Sequence, residues 1–146
     1  MPVATTLIVE DNPSFRVSLR EILSTRFPQM AVNEAGSSEE ALERMESLRP
    51  DLMFVDIRLP GQNGLELTRQ VRKDNTEVII VILTNYDLPE FREVAYRYGV
   101  NYFFSKSTST MEEIVAAVEA ILRQKVEARG NLGRSILPGP IPEGLN

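Results

Sequence analysis

Five short apolar runs punctuate the chain: Thr5 to Val9, Met30 to Ala35, Leu52 to Val55, Val78 to Leu83 and Tyr102 to Ser105. TLIV, LMFV and VIIVIL do not alternate apolar with polar positions. Strands covered on both faces read that way. MAVNEA alternates more, as an edge strand does.

Between these runs the period changes to that of a helix. Phe15, Leu19, Ile22 and Leu23 form one stripe. SSEEALERMESLRP offers Ser37 or Ser38 as an N-cap, acidic residues in the first turn, and Pro50 as a stop. Gly64 to Arg72 carries Leu65, Leu67 and Val71, and LPEFREVAYRYG opens on a proline and closes at Gly99. Ile114, Val118, Ile121 and Leu122 make the last amphipathic face.

Strand and helix thus alternate five times. That order implies parallel strands joined by right-handed crossovers, a three-layer α/β sandwich. The expected fold is a doubly wound, five-stranded parallel sheet of order 2-1-3-4-5. Residues 1–125 form the expected domain. Residues 126–146, with GNLGRSILPGPIPEGLN, read as a flexible tail or truncated linker.

This topology gathers particular residues. Glu10 and Asp11 follow the first run, Asp56 ends the third, Thr84 follows the fourth and Lys106 follows the fifth. Parallel strands bring all of these to one edge, outside the carboxyl ends of the strands, where such sheets bind ligands. Three carboxylates there repel one another. A Mg²⁺ ion resolves that repulsion, since it suits one or two carboxylates plus waters and a phosphate. A lysine adds a point charge for an anion, and a threonine hydroxyl can hydrogen-bond a phosphoryl oxygen. The set points to phosphoryl transfer onto a carboxylate. Asp56, on a central strand, is the candidate nucleophile.

Composition narrows the chemistry further. With no cysteine and no histidine, disulfides, thiolate chemistry, imidazole bases and the usual zinc sites are excluded. A net charge of −5 argues against direct nucleic-acid binding. No run reaches the ~18 apolar residues of a membrane span, and MPVATTLIVED lacks the basic start of a signal peptide. A cytoplasmic address is expected.

With these residues in order, the chain resembles the receiver domain of two-component response regulators. The resemblance rests on IVED at Ile8–Asp11, VDIRLPGQNG at Val55–Gly64, ILTNY at Ile82–Tyr86 and YFFSKS at Tyr102–Ser107, and covers roughly residues 3–125. It implies a flavodoxin-like (βα)5 fold and a phosphorylation-activated signalling switch. Asp56 would be the phosphoacceptor. Asp11 would bind Mg²⁺ directly and Glu10 through water, with the main-chain carbonyl of Arg58 completing the protein ligands. Thr84 and Lys106 would hold the phosphoryl group. Thr84 would swing towards it, and Phe103, three residues before the lysine, would follow inward. Arg58 and Tyr86 would flank the route of attacking water and so modulate the lifetime of the phosphorylated state.

The resemblance also implies partners: a histidine kinase or phosphotransfer protein upstream, and a downstream protein target. The family's output surface lies on the fourth helix, fifth strand and fifth helix, here Leu88 to Tyr98 and Tyr102 to Leu122. The resemblance also implies homodimerisation through this surface. Such a domain catalyses only its own phosphorylation and dephosphorylation, so activity as an enzyme is not expected. The chain either stands alone or is a piece of a longer regulator.

One departure concerns Ser107, which follows Lys106 where family members often carry a cis-linked proline. A cis non-proline bond costs ~2.5–4 kcal/mol, so a trans bond is expected here. Three other readings compete. A degenerate receiver would act through protein contacts alone. A haloacid-dehalogenase-type phosphatase also uses a strand-end aspartate with Mg²⁺, but needs a second aspartate where Arg58 stands. A dinucleotide-binding module lacks its GxGxxG.

Overall fold

In the computed structural model, strands and helices alternate as the hydrophobic pattern predicts. They are strand Ala4–Val9 (β1), helix Pro13–Arg26 (α1), strand Met30–Ala35 (β2), helix Ser38–Leu48 (α2) and strand Leu52–Val55 (β3). Helix Gly64–Asp74 (α3), strand Ile79–Thr84 (β4), helix Pro89–Arg97 (α4), strand Tyr102–Ser105 (β5) and helix Met111–Ile136 (α5) complete the series. The structure describes residues 3–136, with side chains described through residue 128. The described chain falls into two units, one ending at Val115 and one beginning at Ala116.

All strand pairs are parallel and the order is β2-β1-β3-β4-β5. This is the doubly wound, flavodoxin-like arrangement. β2 lies at an edge, as its alternation implies, and its middle positions are half-buried where β1 and β3 are buried almost throughout.

Period two divides the sheet's apolar residues between its faces. Leu7, Val9, Met53, Val55, Ile80, Ile82 and Phe103 join Ala41, Leu67, Val71 and Ala95 of α2, α3 and α4 in one continuous core. The alternate residues Ile8, Phe54, Val81 and Leu83 are equally buried, as are Leu19 and Leu23 of α1.

Helix ends are fixed by side chains near them. Asn12 caps α1, its side chain accepting from Phe15 N–H. Ser37 caps α2 and Asn63 caps α3. Thr110 and Glu113 form a reciprocal capping box at the start of α5. Gly99 closes α4 at φ 98°, a conformation that favours glycine.

Some boundaries differ from the sequence reading by one or two residues, the usual scatter at element ends. β4 runs Ile79–Thr84, so Thr84 is its last residue. Asp56 follows β3, which ends at Val55. The backbone of α5 stays helical to Ile136, into the stretch 126–146 that the sequence reading sets apart as a tail or linker. Glycine costs a helix only about 1 kcal/mol relative to alanine, so Gly130 and Gly133 slow it without stopping it. Pro138 and the rest of the expected tail, residues 137–146, lie outside the described residues.

Candidate functional site

Strand register assembles the site. Val9 pairs with Val55, so the next residues, Glu10 and Asp56, leave adjacent strands side by side. The ladder carries on one step: Asp56 N–H donates to the Val9 carbonyl at 3.1 Å, and Glu10 N–H to that of Ala35 at 3.0 Å. Thr84 pairs with Ser105, and Lys106 N–H donates to the Thr84 carbonyl at 2.8 Å. Five residues scattered over 97 positions thus meet at one sheet edge.

The side chains converge there. Glu10, Asp11 and Asp56 each place a carboxylate oxygen within 4.8 Å of the others, with Glu10 and Asp56 buried and Asp11 exposed. Lys106 Nζ donates to Asp56 Oδ2 at 3.1 Å and also to Glu10 Oε1. Its side chain is only 8% exposed. The other Asp56 oxygen, Oδ1, is buried with no hydrogen-bond partner. Leaving a charged acceptor unsatisfied in a buried site costs more than the ~1–3 kcal/mol of a neutral one. A divalent cation would satisfy that oxygen and relieve the crowding of the three carboxylates. The residues present therefore fit a metal ion.

Burial pushes the Glu10 carboxyl above the ordinary glutamate range, and the Asp56 charge adds to this. The hydrogen bonds from Lys106 and from Asn12 N–H pull the other way. Glu10 is held from two more directions. Oε2 accepts from Asn12 N–H at 3.1 Å, and Arg16 Nη1 donates to the Glu10 carbonyl at 2.8 Å.

Thr84 is fully buried and its Oγ1 accepts from Tyr86 N–H at 3.2 Å. Tyr86 in turn meets Arg58: the guanidinium donates to the phenol oxygen and lies 5.6 Å from the ring centroid. The two predicted modulators are thus brought together. They line an open cleft of about 410 Å³ with Ile57, Asn63, Leu65 and Phe91. This cleft lies beside the carboxylates and does not include them. Phe103 is buried, with the Arg92 guanidinium 4.5 Å from its ring centroid. No peptide bond among the described residues is cis, so Lys106–Ser107 is trans.

Four contributors escaped the sequence reading: Phe15 against Lys106, Arg16 on Glu10, Arg92 on Phe103, and Gly64 under Asp56. Only Gly64 left a signal, as the glycine after Asn63 at the start of a helix. The others are long-range contacts with no characteristic spacing. No helix among the described residues is long and apolar enough to cross a membrane.

Comparison with known proteins agrees with this geometry. The profile of the response regulator receiver domain matches residues 6–119. The chain is 33% identical over 114 residues to the response regulator protein VraR of Staphylococcus saprophyticus, covering 77% of this chain and 53% of VraR. It is 35% identical over 124 residues to the response regulator MprA of Mycolicibacterium vanbaalenii, covering 85% and 52%. The chain thus spans about half the length of these curated relatives. Among solved structures, a two-component response regulator of the LuxR family from Aurantimonas sp. SI85-9A1 superposes with a TM-score of 0.76 at 33% identity, covering 83% of this chain and 86% of that one. With the fold, the acidic edge and these matches in agreement, the chain belongs to the response regulator receiver domains of two-component systems.

Proposed function

We propose that this domain is a phosphorylation-activated switch in which Asp56 accepts the phosphoryl group. The observation that carries the reading is the Asp56 carboxylate itself: buried, held on one oxygen by Lys106, and unpartnered on the other. The donor is a phosphohistidine on a histidine kinase or phosphotransfer protein, or a small acyl phosphate. A bond forms between an Asp56 oxygen and phosphorus while the P–N or P–O bond to the donor breaks. The leaving group departs with the electron pair.

Lys106 lies where negative charge accumulates, and its ammonium supplies the compensating point charge. Thr84 Oγ1 already accepts from Tyr86 N–H, which leaves its hydroxyl proton for a phosphoryl oxygen. Glu10, Asp11 and Asp56, with the main-chain carbonyl of Arg58, would hold Mg²⁺, which when bound supplies charge neutralisation. The reaction is single-turnover chemistry on the protein's own side chain.

The switch follows from the new acceptor. A phosphoryl group draws Thr84 and Lys106 towards it, and Phe103 follows inward. Phosphorylation thereby shifts a two-state equilibrium, biased only by contacts that differ between the states. The surface that reports the change is that of α4 and β5. There Leu88 and Tyr96 are each 48% exposed, and the rings of Tyr102 and Phe104 stack at 6.3 Å. A downstream protein or a second copy of the chain reads it.

The test is incubation with acetyl phosphate and Mg²⁺ followed by intact mass measurement. One added phosphoryl group, absent in Asp56→Asn, supports the reading. No gain in mass, with no binding of beryllofluoride, contradicts it and leaves a receiver that works by contact alone.

A further inference from the structure

The Lys106 ammonium has a third neighbour besides its two carboxylates. The ring of Phe15 lies with its centroid 4.2 Å from Nζ. That is well inside the ~6 Å within which a cation is attracted to an aromatic face. Lys106 is almost wholly removed from solvent, the condition under which such contacts count most.

The backbone that carries the ring is tied to the start of α1. Phe15 is the third residue of α1, and its N–H donates to the capping Asn12 Oδ1 at 3.2 Å. The same short segment carries Asp11, and Asn12 N–H holds Glu10. One hydrogen-bonded turn therefore places the acidic pair and the ring near a single ammonium. Phe15 is half-buried, at the end of the α1 stripe that buries Leu19 and Leu23, where that stripe reaches the carboxylate edge.

An aromatic face suits this task for a chemical reason. The four-carbon stem of lysine is flexible, and a lysine that must meet an incoming phosphoryl group benefits from restriction. A third carboxylate or carbonyl would restrict it too, but would occupy an N–H donor with a strong acceptor. A ring attracts the cation weakly and leaves the donors directed at Asp56. An aliphatic side chain would fill the space without the attraction.

We propose that Phe15 is a positioning residue for phosphoryl transfer, its ring face holding the Lys106 ammonium beside Asp56 and out of water. This rests on the reading of Asp56 as phosphoacceptor. Phe15 touches no reacting atom and acts through Lys106.

The test uses the full chain with Phe15 replaced site-specifically by mono-, di- and trifluorophenylalanine, together with Phe15→Tyr and Phe15→Leu. Fluorination keeps the shape and drains the negative face of the ring, so a merely structural role is blind to it. The maximal rate of phosphorylation by acetyl phosphate and its dependence on donor concentration are measured separately. The Lys106 ε-methylene proton shifts, which sense the ring current, are followed by NMR. The expected result is a rate that falls stepwise with each fluorine, about fivefold lower in Phe15→Leu, and near wild type in Phe15→Tyr. Lys106 resonances should move downfield in Phe15→Leu. A flat fluorine series in a wild type that does take up phosphate overturns the role of Phe15 alone. A wild type that takes up none overturns the phosphoacceptor reading and this inference with it. If Phe15→Leu fails to fold, the isosteric fluorinated series still decides.

Discussion

A methyl group on Gly64 would sit 2.0 Å from the main-chain oxygen of Asp56 and 2.9 Å from a side-chain carbon of Val55. The first residue of α3 thus rests directly on the backbone that carries the key carboxylate, and Gly64 N–H donates to the Ile57 carbonyl at 2.7 Å. Contact, and not an unusual φ, demands glycine here. Gly64→Ala should therefore lower stability by at least ~1–3 kcal/mol and slow phosphorylation as well. Urea denaturation checks this; a midpoint equal to wild type would contradict the close approach.

Arg92 should matter through Phe103. Its guanidinium covers the ring, pairs with Asp87 at 2.6 Å, and donates to the Phe103 carbonyl at 3.4 Å. It therefore ties the loop after β4 to β5. With the arginine side chain still 40% exposed, the combined contribution is modest, about 1 kcal/mol. Arg92→Ala should lose about that much. It should also broaden the Phe103 ring resonances as the ring samples a second position. An unchanged ring spectrum would show that Arg92 does not restrain it.

Arg58 and Tyr86 close on each other beside Asp56. If they hinder attacking water, the phosphorylated state should last minutes or longer in purified protein, and Arg58→Ala should shorten it several-fold. Decay of the phosphorylated species by intact mass measures both. A wild-type half-life of seconds would rule this out.

Metal binding should depend on pH through Glu10. The folded value of this carboxyl lies above its ordinary 4.5 because of burial. Its contribution to stability is thus complete below the ordinary value and is lost as pH rises through the folded value. Mg²⁺ favours the ionised form. The gain in melting temperature on adding Mg²⁺ should therefore grow across that window and shrink on acidification. At a concentration of ~100 times Kd the gain corresponds to about 2.7 kcal/mol. Asp11→Asn should reduce it at neutral pH. A gain that is flat with pH would separate Glu10 from the metal.

The sequence carried the sheet and its edge because both depend on period. LMFV and VIIVIL are short and rich in β-branched or aromatic residues, as covered strands are, and parallel strands must bring their ends together. Asp56 and Lys106 were placed by that logic with no knowledge of side-chain angles. Phe15, Arg16 and Arg92 were hidden because they act across the fold. Arg92 meets a ring 11 residues on, and Lys106 meets Glu10 across 96 residues. Neither distance follows from a helix or strand period. The extent of α5 is harder to read, because the pattern after residue 125 loses its apolar period while a helix already propagating tolerates each glycine at about 1 kcal/mol.

The central claim is that Asp56 carries the phosphoryl group, and the most direct test is to mark the residue chemically. The chain would be treated with acetyl phosphate and Mg²⁺, then with borohydride, which reduces an aspartyl phosphate to homoserine. Peptide mass mapping then locates the change. Homoserine at position 56, and none in samples lacking the phosphodonor, is the predicted result. Reduction at Asp11 or another carboxylate, with Asp56 intact, would contradict the account.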